Sequence, residues 1–173
     1  EKVYRNKTLD SGILTRVAKS HIRIGTFEYI SNFCNNKDME IFLYYVINRH
    51  YPELLESDNY ALELLKVVQN KQINLILEWI RVGFIHGVMN TDNMSIIGET
   101  IDYGPCAFMN SYNPDTCFSS IDRNGRYAFG NQPQIALWNL SVLANSLLPL
   151  ISNNKDKAIN SAKNILDSYQ DDF

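Results

Sequence analysis

The sequence predicts an α+β fold in which helix predominates, and three observations carry that prediction. Most of the chain from residue 26 to 169 places apolar residues at helical spacing. Two stretches, residues 13–25 and 94–101, are instead short runs with β-branched character and no helical stripe. The length, 173 residues with 45% apolar and 20% charged side chains, suits one soluble globular domain with a substantial core. A net charge of -3 and the lack of any Lys/Arg run give no basic face, so no nucleic-acid partner is expected. Cys34, Cys106 and Cys117 are scattered without Cys-x-x-Cys or Cys/His spacing, which argues against structural zinc and a disulfide framework. Reduced thiols are expected, and the odd count leaves room for a disulfide to a residue elsewhere. The sequence starts at Glu1 without Met and reads as an internal fragment, with no signal peptide, no apolar run expected to cross a bilayer and no membrane partner.

Each element follows from its local pattern. Glu1 to Ser11 is polar and aperiodic, a tail or the end of an upstream element. Ile13–Ala18 and His21–Gly25 read as two short strands with a bend near Lys19-Ser20. A helix starts at Thr26 as its cap, with Phe27, Ile30, Phe33 and Cys34 on one side, and Asn35-Asn36 closes it. A second helix from about Lys37 turns Met39, Phe42, Tyr45, Val46 and Ile47 inward and ends at Tyr51-Pro52. Ser57 or Asp58 then caps a long helix, about Asn59 to Gly83, bearing Leu64, Leu65, Val68, Ile76, Ile80 and Trp79. After Gly104 the chain is rich in turn formers up to Gly125, a loop long enough to be functional or pinned by its own side chains. A helix apolar nearly all round follows, about Gln132 to Leu148, stopped or kinked near Pro149. Asn153-Asn154 caps a last amphipathic helix with Ala158, Ile159, Ala162, Ile165, Leu166 and Tyr169 on one face.

The stretch that carries chemistry is His86–Gly104, HGVMNTDNMSIIGETIDYG. Met94–Ile97 and Thr100–Ile101 flank a turn at Gly98-Glu99, so they are expected to pair as a hairpin and to bring Asn93 and Asp102 side by side. An amide oxygen beside a carboxylate is hard-oxygen chemistry that suits Mg²⁺, which takes one or two protein oxygens plus waters and substrate phosphates. The layout parallels the catalytic half of a protein kinase, in which a catalytic-loop Asp and Asn precede a hairpin and an Asp-Phe-Gly metal ligand. Here Asp102-Tyr103-Gly104 stands in the last position, while His86 is followed by Gly87-Val88, so the acid sits at Asp92, directly before Asn93. By local sequence alone, Asp92 is more readily a turn or cap residue than a catalyst. His86 is read as a hydrogen-bonded structural pin. By spacing alone, Arg16 and Arg23 are two solvated arginines, and seven residues of unbroken strand would put them on opposite faces.

HGVMNTDNMSIIGETIDYGP, TRVAKSHIRIGTFEY and GRYAFGNQPQIALWNL together resemble the selenoprotein O family, whose bacterial members are the YdiU-like proteins. The resemblance covers about Ile13 to Ile151. It implies a kinase-like fold, with residues 1–25 as the end of the small-lobe sheet and 26–173 as the helical large lobe carrying the catalytic loop 86–104. It implies a protein adenylyltransferase that moves AMP from ATP to Ser, Thr or Tyr hydroxyls of proteins. Asp92 is then the general base, Asn93 and Asp102 the ligands of Mg²⁺ (or Mn²⁺), and Arg16, Arg23 and Asp102 the groups that meet the ATP phosphates. The family's glycine-containing small-lobe segment and Lys-Glu pair have no counterpart in this chain. A kinase-like phosphotransferase and a non-catalytic, pseudokinase-like binding domain are the alternatives. The implied location is cytoplasmic for a bacterial-type member and mitochondrial for a eukaryotic one.

Overall fold

The computed structural model describes residues 2–4 and 7–173. The expected polar tail Glu1–Ser11 falls partly outside the described residues. Within them it holds a small antiparallel hairpin, β1 (Lys2–Tyr4) with β2 (Thr8–Asp10), in which Lys2 faces Asp10. The two strands expected over 13–18 and 21–25 are not formed. Ile13, Leu14 and Val17 stand exposed, and no strand among the described residues runs alongside to take their backbone groups. Only Arg23 makes a bridge, with Ser95.

α1 (Ile24–Phe33) begins two residues earlier than expected. Thr26 is its third residue and not its cap; its hydroxyl reaches back to accept the Arg23 amide at 3.4 Å. Ile24 and Phe27 are fully buried, whereas Phe33 and Cys34, expected inside, face outward. α2 (Asn36–His50) is capped by Asn35, which accepts from the amides of Lys37 and Asp38 while Asp38 accepts from Asn35, a reciprocal box. Leu43, Val46 and Ile47 form its buried stripe; Tyr45 is half exposed. A short 3-10 turn, Pro52–Glu56, leads to α3 (Tyr60–Val82), the longest helix, whose cap is Asn59 in place of Ser57 or Asp58. The same Asn59 donates to the Ile151 carbonyl at 2.9 Å and so ties the start of α3 to the end of α4 (Gln132–Ile151).

α4 runs through Pro149 to Ile151, past the expected stop. Proline deletes one bond in the last turn, on a face open to water, where the freed carbonyl can be solvated. Contrary to the expectation of no bilayer-length run, Phe129–Ile151 is long and apolar enough by length and composition to cross a membrane. Here it is the central core helix: it packs against α3, α1 and α5 (Lys155–Asp167) and buries Leu140, Leu143 and Leu147. Asn154 caps α5, and the short α6 (Tyr169–Asp172) closes the chain, with the buried Tyr169 hydroxyl donating to the Pro133 carbonyl.

Between α3 and α4 lies the segment the helices serve. β3 (Phe84–Ile85), unforeseen from the sequence, pairs antiparallel with β4 (Ala107–Phe108), Phe84 opposite Phe108, and this clasp closes the loop 86–106 at its base. Residues 109–131 fold on themselves, as a long loop pinned by its own side chains should. Asp122 accepts from the amides of Asn124, Arg126 and Tyr127 and from the Cys117 thiol. These bonds, that from Tyr127 foremost, hold its carboxyl below the usual range.

Candidate active site

The expected hairpin over 94–101 is reduced, among the described residues, to one bridge between Met94 and Thr100. Ser95 pairs instead with Arg23, and the Ile24 amide donates to the Met94 carbonyl at 2.9 Å, so the entry to α1 acts as the third strand of this small assembly. Gly98 turns the chain at φ +71°, with the Lys71 backbone so close that any side chain there would collide with it. No ladder continues from that bridge to Asn93 or Asp102, so the side-by-side placement expected for them is not made by strand pairing among the described residues. The Asn93 amide nitrogen donates to the Val88 carbonyl of its own loop at 2.8 Å, leaving the oxygen as the group that bond does not use.

Asp102 is met by the two arginines. Nη1 of Arg16 bonds to Oδ1, and Nη1 of Arg23 stands 3.7 Å from Oδ2. The bend that seven residues of strand could not supply comes from the irregular path of residues 16–22. Arg16, Arg23 and Asp102 line one cleft of about 550 Å³ together with His21, Glu99 and Tyr103. Lys19 pairs with Glu99 at its rim, so the two guanidinium groups and one carboxylate leave the cleft with a net positive charge. Nε of Arg23 is buried and finds no hydrogen-bond partner among the described residues, a donor with capacity to spare. Asp102 is the one non-glycine described residue with left-handed backbone, at φ +57°, which Asp tolerates better than most residues.

That backbone is held from below. His86 is fully buried; its Nδ1 accepts the Val88 amide at 3.4 Å, so Nε2 carries the proton and donates to the Ile101 carbonyl at 2.8 Å. Its ring stacks on Trp79, whose indole N–H donates to the Thr100 hydroxyl at 2.8 Å. Burial lowers the His86 pKa, partly opposed by the Ile101 bond and the Asp102 charge, which keeps the ring neutral and in this tautomer. The pin expected at His86 is therefore what the structure contains. Asp92 and Asn93 sit in a 3-10 turn (Thr91–Asn93) docked on α1: Thr91 donates to Glu28 at 2.6 Å, and the Asp92 carboxylate lies against Gly25.

The family model described as Protein adenylyltransferase SelO matches residues 1–173. The chain belongs to this family. Relatives named protein nucleotidyltransferase YdiU are 55% identical over 173 residues in Pelagibacter ubique and 54% over 173 in Syntrophotalea carbinolica. Another so named, in Brevibacillus brevis, is 56% identical over 169 residues. These matches take in 100%, 100% and 98% of this chain but 36%, 35% and 34% of the relatives, so the chain spans about a third of their length.

In this chain of the SelO family, Asp102 is a hard-oxygen donor that the cleft could offer to a cation. No group of three or more His, Cys, Asp or Glu converges among the described residues, so a protein-only cage for a transition metal is not built here. The cleft places Asp102 next to arginines suited to phosphate, and Asn93 is not among its lining residues. Sequence reasoning missed the residues that shape the loop. Gln132 accepts the His86 amide and donates to the Phe84 carbonyl, both at 3.0 Å; Asn139 donates to the Met89 carbonyl at 2.9 Å; Gln72 donates to the Ser95 carbonyl at 2.6 Å. All three are fully buried. Their signal was available: an amide on an otherwise apolar helix face must find backbone to bond.

Proposed function

We propose that this chain supplies the catalytic loop of a protein adenylyltransferase that moves AMP from ATP to Ser, Thr or Tyr hydroxyls of proteins, in a kinase-like fold. In this reading, residues 1–25 end the small lobe and 26–173 form the large one. The observation that carries it is the convergence of Arg16 and Arg23 on Asp102 across a net-positive cleft. Such a triad keeps one positive charge in excess when empty, because one carboxylate offsets only one of the two guanidinium groups, and its members can exchange partners when a nucleotide and a cation arrive. The arginines release the carboxylate for phosphate oxygens, and the carboxylate releases the arginines for the cation. Asn93 and Asp102 would hold Mg²⁺ or Mn²⁺. When bound, the ion screens the phosphate charge as the transfer proceeds.

The remaining residues do the rest. Arg16 and Arg23 hold the outer phosphates, so that the α-phosphorus faces the incoming protein hydroxyl. Its oxygen forms the new bond to that phosphorus, the bond to the bridging oxygen breaks, pyrophosphate leaves, and the hydroxyl proton passes to Asp92. The family membership and the relatives' names support transfer of a nucleotidyl group. The test is intact-mass measurement of a protein target incubated with the natural full-length protein, ATP and Mg²⁺. An AMP adduct is expected, reduced about 10²-fold or more in rate by Asp92→Ala and by Asp102→Ala. A phosphate adduct would point to a phosphotransferase instead. Neither adduct, with no stabilisation by ATP, would leave a non-catalytic binding domain.

A further inference from the structure

We infer that Gly25 is a positioning residue for Asp92, and that the first turn of α1, through Gly25 and Glu28, sets where the general base stands; this rests on the reading of Asp92 given above. α1 begins at Ile24, so Gly25 sits in its first turn, where alanine would favour the helix more. Its φ is not among the positive ones, so backbone conformation does not require glycine there. What requires it is space. A Cβ at position 25 would run into Oδ1 of Asp92 and stand 3.1 Å from both the Asp92 carboxyl carbon and its backbone nitrogen. The bare Cα of Gly25 is thus the floor on which the carboxylate rests.

One residue before it, Thr91 is buried and donates to Glu28, one helical turn after Gly25, at 2.6 Å. One residue after Asn93, the Met94 carbonyl takes the Ile24 amide. The 91–93 turn is therefore fastened to α1 at both ends, and its middle residue is seated by the missing side chain. Displacing a catalytic group by about 1 Å can cost on the order of 10²-fold in rate, so the seat matters to chemistry more than to binding.

The test is a double-substitution cycle in the natural full-length protein, with AMP transfer and ATP affinity measured separately. Gly25→Ala is expected to lower kcat about 10- to 100-fold with the KM for ATP within about threefold of wild type. In an Asp92→Ala background, adding Gly25→Ala is expected to change the residual rate less than about twofold, because both act through one carboxylate. Thr91→Val is expected to lower kcat in the same direction, and Thr91→Ser to restore it, since serine keeps the hydroxyl that Glu28 accepts. Wild-type kcat in Gly25→Ala, a raised KM with kcat intact, or a full additive loss in the Asp92→Ala background would each overturn the inference while leaving the adenylyltransferase reading standing. Failure of the wild type itself to transfer AMP would overturn both, and is told apart by the wild-type control. Should Gly25→Ala fail to fold, the Thr91→Val and Thr91→Ser pair decides the point by the same criteria.

Discussion

At Asp102 two opposite electrostatic demands meet, and the outcome depends on what occupies the cleft. With Arg16 and Arg23 as its partners, the carboxylate competes with any phosphate for the same guanidinium groups. On the proposed reading, a divalent cation would turn it into an asset to phosphate binding. Asp102→Asn is therefore expected to bind ATP about two- to fivefold more tightly than wild type when divalent cations are chelated, the range appropriate to partly exposed ion pairs. With Mg²⁺ added, it should lose that advantage and transfer no AMP. Titration of a fluorescent ATP analogue with and without Mg²⁺ measures both arms, and equal affinities under chelation would refute the competition. Asp102 and Asn93 stand out in the sequence because an amide and a carboxylate flank a glycine turn, and the structure brings the two arginines to Asp102. The arginines were not legible by spacing, since the bend that joins them is irregular chain with no pattern of its own; the family resemblance supplied them. Gly25 was silent for a simpler reason: its meaning lies in a contact with a residue 67 positions away.

At the level of elements, the loop between β3 and β4 behaves as a surface anchored by buried amides on α3 and α4. Gln132 is the clearest case. It sits at the start of α4 and substitutes for a strand neighbour, accepting from the His86 amide and donating to the Phe84 carbonyl. Gln132→Leu keeps the volume but strands both backbone groups, and should destabilise the protein by about 2–4 kcal/mol, since each buried unsatisfied group costs roughly 1–3. Ser141→Ala, which removes a bond within the half-buried face of the same helix, should cost about 1 kcal/mol or less. Denaturant unfolding of the two variants gives the comparison, and equal losses would mean that Gln132 fills space and nothing more. The helices themselves were legible because their apolar stripes are long and periodic. Their exact caps were not, as at Asn59, where Ser57, Asp58 and Asn59 are equally good cap residues and only the tie to Ile151 selects one. The strands failed for a different cause: β propensity at 13–18 says that a partner would be welcome, and no strand among the described residues supplies one, while near Arg23 the pairing stops at one bridge to Ser95.

For the molecule as a whole, the titratable groups that its packing and hydrogen bonds perturb fix the pH range in which it is stable. His86 and His50 both have pKa values lowered from 6.5, desolvation being the larger cause in each, and for His50 the Arg49 charge adds to it. An unfolded chain binds their protons at a higher pH than the native one does. Their contribution is therefore present above pH 6.5 and is lost as pH falls from there through the lowered values. Asp122, also lowered, acts in the same direction from 3.8 downward. The tyrosines act at the other end. Tyr51, whose hydroxyl donates to the Ile96 carbonyl, is pushed up to about 12 by burial and by Glu53, and Tyr169 is raised by burial. The unfolded chain gives up these protons near 10 while the native one keeps them, so stability declines above that pH. The thermal midpoint should accordingly be flat between about pH 7 and 9.5 and fall on both sides. Tyr51→Phe should lower the plateau by the value of one buried hydrogen bond, about 1 kcal/mol, and make the alkaline limb shallower, because one of the two tyrosines that titrate there is gone. Thermal melts of both proteins from pH 5 to 11 measure this; an alkaline limb unchanged in Tyr51→Phe would place the sensitivity elsewhere than at the Tyr51–Ile96 bond.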